Sequence, residues 1–301
     1  MIDNGEYVSF CGRLPECTYY VALDVIPGRP GDRKSLSKNS VEESCRLSWD
    51  NYKEMLVNTP REKVIPVFHQ GDDPKWLLKY LDAGVDYVGI SPANDRGVSD
   101  RLAWRRGIKK HLFDGAGRPV VKTHGFGATS SPLLNYWKWH SVDSATWKEM
   151  ASWGIVLLPS ETAGRYDFAK PYKMLFVSEA SPHRKHRNQH YHSACGPVKE
   201  RLHAWLDHLG LRLGLSEIVT VPEGYKPVFR TSQGVVVGEG ETWYDRKKRK
   251  ILRPVVVGVS NSFRERCVAN VSYAKGVEKA CPVDHLYLAG APMPYPFETK
   301  M

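Results

Sequence analysis

Residues able to move protons or attack carbon recur where short β-branched runs stop. Asp24 closes residues 19–23, His69 and Gln70 close 64–68, and Ser91 follows 87–90. His124 ends residues 120–123, and Asp143 ends residues 140–142. Asp3 stands almost at the start, in Asp-Asn-Gly-Glu-Tyr (3–7). One aspartate after a strand is more often the cap of the next helix than a catalyst. Asp143 carries more, because it sits in His-Ser-Val-Asp-Ser-Ala-Thr-Trp (140–147) among small hydroxyl residues. Such neighbours hydrogen-bond a carboxylate and keep it ionised. An ionised, oriented carboxylate can attack an anomeric carbon and form a covalent glycosyl ester.

Two further stretches suit a flat polar ligand. Thr-His-Gly-Phe-Gly-Ala-Thr (123–129) places two glycines where the chain leaves a strand. They would allow close backbone approach to a ring or a phosphate, or simply a tight turn. Gln70 offers both a donor and an acceptor, which fits the edge of a nucleobase or an ordinary loop polar group.

These residues need elements to hold them. Alternating β-branched runs and helical segments over the first 150 residues predict βα units and a parallel sheet. Strands are expected at 19–24, 64–69, 87–90, 120–124 and 140–143. Helices are expected at 40–58 (Ser40 capping, with Glu43), from Pro74 to Gly84, at 99–113 and at 131–138. The opening Asp3 segment reads as the end of a first strand. Such a series closes most economically as a TIM-like (β/α)8 barrel, with an open doubly wound sheet as runner-up. The barrel is preferred because the polar residues recur at the carboxyl ends of successive strands. One domain over 1–301 is expected, with catalytic motifs in 1–150. An inserted antiparallel hairpin (154–158 with 173–178) and a His-rich subregion fill about 151–210. A basic, β-rich segment occupies about 216–260, and 285–289 is the closing strand.

The chain has 301 residues, 42% hydrophobic and 25% charged, enough for a substantial core. No apolar run spans a bilayer and no signal peptide opens the chain, so a cytoplasmic location is expected (the host cytoplasm for a phage protein). Six scattered cysteines argue against a disulfide scaffold. A net charge of +10 favours a polyanionic partner. The charge is clustered at Lys247, Lys248, Arg249 and Lys250, around Arg184 and Arg187, and along 101–110.

Taken in order, the motifs resemble the tRNA-guanine transglycosylase superfamily, most of all the 7-deazaguanine DNA transglycosylases of bacteria and phages. Asp3-Asn-Gly-Glu-Tyr7 is similar to that family's Asp-Ser-Gly-Gly-Tyr motif, and Ala22-Leu-Asp24-Val25 to its Phe-Asp-Glu-Cys strand. Phe68-His-Gln70-Gly71 resembles Val-Gln-Gly-Gly, and Val88-Gly89-Ile90-Ser91 loosely resembles Gly-Gly-Leu-Ala-Val-Gly-Glu. His124-Gly125-Phe-Gly127 looks like Met-Gly-Val-Gly, with His replacing Met. His140-Ser-Val-Asp143-Ser looks like Asp-Met-Phe-Asp-Cys, whose second acid is the nucleophile.

The resemblance covers about 1–210 and implies exchange of guanine in DNA for a 7-deazaguanine base. It implies Asp143 as nucleophile and Asp3 as general acid/base. Asp24, Gln70, Gly89 and Ile90 would read the base edge, with Tyr7, His124 and Gly125 lining its faces. It also implies a structural zinc, with His190, His192 and Cys195 keeping the family's ligand spacing and His208 or His203 as the fourth; a phosphate-contacting loop is the plainer reading. The basic residues would contact the DNA backbone. tRNA is the alternative polymer, and a base glycohydrolase or base-binding protein without exchange is the alternative class. A plain metabolic barrel enzyme leaves the basic clusters unexplained. With only Met1 and Ile2 before Asp3, the first strand is expected to be very short, or else a second copy or an accessory subunit completes that corner.

Overall fold

The computed structural model describes residues 3–27, 38–93, 96–181, 189–227 and 240–288. They belong to two compact units, one of residues 1–143 with 282–287 and one of 144–281 with the residues from 288 on.

The first unit begins with α1 (Asn4–Gly12), a helix where a strand end was expected. Asp3 is its N-cap, and Oδ1 accepts the Glu6 N–H at 3.1 Å. The Asp-Asn-Gly stretch is therefore a helix start. β1 (Tyr20–Val21) pairs in parallel with β2 (Val64–Ile65). Between them α2 (Lys38–Met55) begins before Ser40, so Ser40 lies within the helix and is not its N-cap. Glu43 pairs with Arg46 at 2.7 Å instead of closing a capping box.

Pro66 then interrupts the strand, since it has no N–H to donate, and β3 (Val67–His69) resumes it. α3 (Pro74–Asp82) follows its sequence signals. Asp73 Oδ1 accepts the Lys75 N–H, Pro74 occupies the first turn, and Trp76, Leu77 and Tyr80 face inward. β4 (Tyr87–Ser91), α4 (Val98–Leu112), β5 (Lys122–Gly125), α5 (Ser131–Leu134) and β6 (Trp139–Ser144) complete this half. β3, β4, β5 and β6 lie side by side in parallel, and the last described strand (Val283–Leu288) flanks β6. One face of this sheet is apolar, with Phe68, Val88, Ile90 and Val142 fully buried.

The expected closed barrel is not what forms. Among the described residues the parallel strands make an open five-stranded sheet, ordered final strand, β6, β5, β4, β3. The reason lies after β6, where the chain stops making βα units. α6 (Thr146–Ser152) leads into β7 (Ile155–Leu158), and a small hairpin follows, β8 (Ser160–Thr162) with β9 (Arg165–Asp167). β10 (Lys173–Phe176) returns antiparallel to β7, as the hydrophobic runs suggested. The strands that would close a barrel are spent on antiparallel ribbons.

The second unit continues with α7 (Gly196–His208), stopped at Gly210, whose φ of +67° suits glycine. β11 (Leu215–Thr220), β12 (Thr242–Asp245) and β13 (Lys250–Val256) form an antiparallel sheet ordered β11, β13, β12. α8 (Phe263–Ala280) was not assigned from sequence, although Ser262-Phe-Arg-Glu265 is a capping box. Ser262 Oγ accepts the Glu265 N–H. Asn270 on α8 is fully buried and ties three elements together. Its Oδ1 accepts the Leu157 N–H at 2.8 Å, and its Nδ2 donates to Trp147 O and Ile155 O at 3.1 Å each.

Truncating Asn270 removes the acceptor of the buried Leu157 N–H and the donor to Ile155 O and Trp147 O. Asn270→Ala is expected to lower stability by about 2–4 kcal/mol. Urea unfolding measures this, and an unchanged midpoint would refute the role given to the amide.

Candidate active site at the carboxyl ends of the parallel strands

Open parallel sheets bind ligands beyond the carboxyl ends of their strands. Here that edge carries two imidazole–carboxylate pairs. Val67, Gly89, His124 and Ser141 are successive register partners across β3, β4, β5 and β6, so their side chains share one face. His69 pairs with Ser91 two residues further along, on the same face. Asp143 lies two residues beyond Ser141 and continues that face.

Asp143 is only partly exposed, with 27% of its side chain open to solvent. Its Oδ1 accepts the Gly127 N–H at 2.8 Å and lies 3.5 Å from His124 Nε2. Burial alone would raise the carboxyl's pKa. The His124 imidazole and the Gly127 amide outweigh burial and hold it below the usual aspartate value. Gly127 has φ of +58°, the left-handed turn that presents its N–H to the carboxylate.

A buried relay sets the His124 ring. Ser141 Oγ contacts His124 Nδ1 at 2.5 Å, and the Tyr87 hydroxyl meets the same Ser141 oxygen. With Tyr87 donating to Ser141 and Ser141 to Nδ1, the remaining imidazole proton sits on Nε2, facing Asp143. The result is an ionised carboxylate whose Oδ1 is held by donors.

The second pair joins Asp24 Oδ2 and His69 Nε2 at 2.7 Å. Burial raises the Asp24 carboxyl and His69 more than offsets it, leaving a net downward shift. Asp72 Oδ2 accepts the His69 backbone N–H at 2.8 Å, fixing the end of β3. Burial pushes the Asp72 carboxyl up, and burial with the Asp72 charge pushes the Cys45 thiol up to about 12. Two acids near one imidazole thus differ in character.

Phe126 lies between the two pairs. A Cβ on Gly89 would come within 2.5 Å of its ring, so the missing side chain of Gly89 lets Phe126 lie down on the sheet. The ring meets His124 edge-on at 4.4 Å between centroids. Tyr287, 45% exposed on the final strand, stands 6.3 Å from His124. Sequence reasoning gave Phe126 and Tyr287 no role; the Gly-x-Gly around Phe126 was the available signal for the first.

The other expected residues are placed as follows. Gln70 Oε1 accepts the Ala93 N–H and its Nε2 donates to Asp100 O, so its amide ties the segment after β4 to the first turn of α4. Gly89 N donates to Pro66 O, and Ile90 O accepts from Phe126 N. Those two groups are spent within the fold. A Cβ on Gly125 would sit 2.8 Å from Ala128 and 3.0 Å from Trp139, so this glycine serves packing. The Tyr7 hydroxyl donates to Val21 O at 2.7 Å, which fastens α1 to β1. Asp3 caps α1 and is exposed.

The zinc expectation does not fit the residues found. His190 is fully buried, and both ring nitrogens face backbone groups, Nε2 the Ser178 carbonyl and Nδ1 the His192 N–H. No lone pair of that ring is left for a metal. His208 packs against Trp205 and Tyr166, and Cys195 begins α7. Among the described residues no group of three or more potential ligands gathers.

Lys247, Lys248 and Arg249 form the exposed turn between β12 and β13, which Lys250 begins. Arg184 and Arg187 lie outside the described residues. Arg105, counted with the basic cluster of α4, is instead fully buried, its guanidinium 4.7 Å from the Trp139 ring. No helix among the described residues is long and apolar enough to cross a membrane. No protein-family model matches the chain, and neither a curated protein nor a solved structure does at a significant level.

The Asp143 arrangement predicts a pH dependence with a defined sign. A carboxyl held below its ordinary value of 3.8 contributes stability fully above that value. The contribution is lost as pH falls through the lower folded value. Asp143→Asn removes it, so the stability gap between wild type and variant should close as urea unfolding is moved from pH 7 into strong acid. A gap of constant size would count against the assignment.

Proposed function

We propose that the first unit breaks an N-glycosidic bond in nucleic acid, with Asp143 as the attacking group, and exchanges guanine in DNA for a 7-deazaguanine base. The observation that carries this reading is the half-open Asp143 carboxylate, kept ionised by Gly127 N–H and His124 at the sheet's carboxyl edge. The order of the strand-end motifs favours guanine exchange over other glycosidic chemistry. The excess of basic residues favours a polyanion.

In this reading the target nucleotide leaves the stack, because its C1′ is unreachable within a duplex. Asp143 Oδ1 stays bound to Gly127 while Oδ2 attacks C1′. The C1′–N9 bond breaks and guanine departs with its electron pair, leaving a glycosyl ester. His124, held by Ser141 and Tyr87, offsets the carboxylate charge before attack and keeps its orientation afterwards. Phe126 supplies a flat apolar surface on which a purine ring can rest. The incoming deazaguanine attacks C1′ and restores Asp143.

Mass spectrometry of nucleosides from DNA incubated with the protein and a 7-deazaguanine base tests this. A deazaguanine deoxynucleoside should form, and Asp143→Ala or Asp143→Asn should reduce it on the order of 10³-fold or more. Abasic sites in place of the new nucleoside would identify a glycohydrolase, and a product only in tRNA would identify the polymer. Full activity in both variants would remove Asp143 from the chemistry.

Binding to DNA should weaken steeply with salt. Replacing Lys247 and Lys248 by alanine is expected to flatten the slope of log affinity against log salt by about 2. A titration at several salt concentrations measures it, and an unchanged slope would exclude this turn from backbone contact.

A further inference from the structure

A departing guanine needs a proton, and the residue expected to supply it, Asp3, is committed to capping α1. We infer that His69, oriented by Asp24, is the proton-transfer group that works opposite Asp143. This rests on the glycosidic reading of the same site.

Three observations converge on it. First, register puts His69 and Asp143 on one face of the sheet, three strand spacings apart. At the usual interstrand distance that is about 14 Å between backbones. An aspartate side chain, a purine nucleoside unit and an imidazole placed end to end fill a span of that order. Second, the row between them holds Phe126, laid flat over Gly89, so a ring bridging the two residues has an apolar floor. Third, the imidazole has one nitrogen that is not committed to the protein. Nε2 is against Asp24 Oδ2 at 2.7 Å, while Nδ1 has no protein partner among the described residues. The His69 side chain is 18% exposed, enough for contact with a ligand.

Two carboxyls and three groups shifted upward by burial surround His69. Asp24 faces it from the segment after β1 and Asp72 from the turn after β3. Cys45 on α2 and Tyr80 on α3 stand beyond Asp72, both with pKa values pushed up by burial and so uncharged near neutrality. Tyr7 on α1 is near Asp24 and is likewise shifted upward by burial.

The step balances as follows. Asp143 Oδ2 bonds to C1′ as the C1′–N9 bond breaks. Its electron pair enters the guanine ring, and the Nδ1 proton of His69 passes to the ring nitrogen that takes up the charge. His69 is then neutral and takes its proton back from solvent, while the N9 proton of the incoming base, beside C1′ and out of reach of His69, passes to water as N9 attacks C1′. Asp24 does not react; it is a positioning residue that stabilises the imidazolium.

Leaving-group chemistry tests this directly. In DNA carrying 7-methylguanine the attached base is already cationic, so it departs as a neutral base and needs no proton. With the full-length protein, base release is followed across pH from guanine and from 7-methylguanine. His69→Gln should slow guanine release about 100-fold or more, but 7-methylguanine release less than about tenfold. It should also remove a limb of the guanine pH profile. His69→Asn should do the same, and Asp24→Asn should give a smaller loss on guanine alone. Retained action on the methylated base shows that the variants fold. Equal effects on both substrates, or no effect on either, overturn the role of His69. If Asp143→Asn remains active while His69→Gln shows the differential, the nucleophile is wrong and His69 stands. If the wild type releases neither base, the glycosidic reading fails and the His69 role fails with it.

Discussion

A carboxylate drawn partly out of water must find donors, and the Asp143 end of the site is arranged around that requirement. Desolvation works against the Asp143 charge, and a backbone amide at 2.8 Å with an imidazole at 3.5 Å outweighs it. The amide can point there only because Gly127 accepts a positive φ. The imidazole can present Nε2 only because Ser141 and Tyr87 occupy its other side. Those two are buried, so their hydroxyls have no water to turn toward and stay engaged with the ring and with each other. The ionised state of one side chain therefore depends on residues drawn from three adjacent strands.

Parallel register brings those residues together. In a parallel ladder each strand contributes its carboxyl end to the same edge, and alternate residues share a face. Gly89 and Gly125 follow from this packing rather than from a ligand. Trp139 fills the space beside Gly125, and Phe126 fills the space over Gly89. A glycine-rich strand end that looks like room for a substrate is here room for the protein's own aromatic rings. The ring that occupies it becomes part of the surface a substrate would meet.

Much of this was legible in the chain. β-branched runs located β2 to β6, and Asp73-Pro74 with Gly84 marked α3 closely. Asp24, His69, His124 and Asp143 were recognisable as strand-end polar residues. The barrel was not, because local periodicity reports that a strand exists and not which strand pairs with it. The antiparallel pairing of 154–158 with 173–178 was legible, but it was read as an insertion, and nothing in those runs says whether the parallel strands around it close. Asp-Asn-Gly-Glu serves a turn or a helix cap equally, and the Asp3 contact with the Glu6 amide decides it. The spacing of His190, His192 and Cys195 suggested a metal, but spacing cannot reveal that the His190 ring already faces backbone on both sides.

The two imidazole–carboxylate pairs look alike in composition and differ in how the imidazole is held. In the Asp143 pair the imidazole is enclosed, 8% exposed, and the carboxylate is the open member. Its free chemistry is therefore that of an anion. In the Asp24 pair the imidazole keeps a nitrogen without a protein partner, and a second carboxyl, Asp72, holds its backbone. Its free chemistry is that of an acid or base. In both pairs the carboxylate is the more open member, at 27% and 28%, so what separates them is the imidazole, engaged at both nitrogens in His124 and at one in His69. The glycosidic reaction proposed for this site would use both, an attacking anion at one end of a purine nucleoside and a proton at the other. The order of strands, not the distance along the chain, separates them by the length of such a substrate.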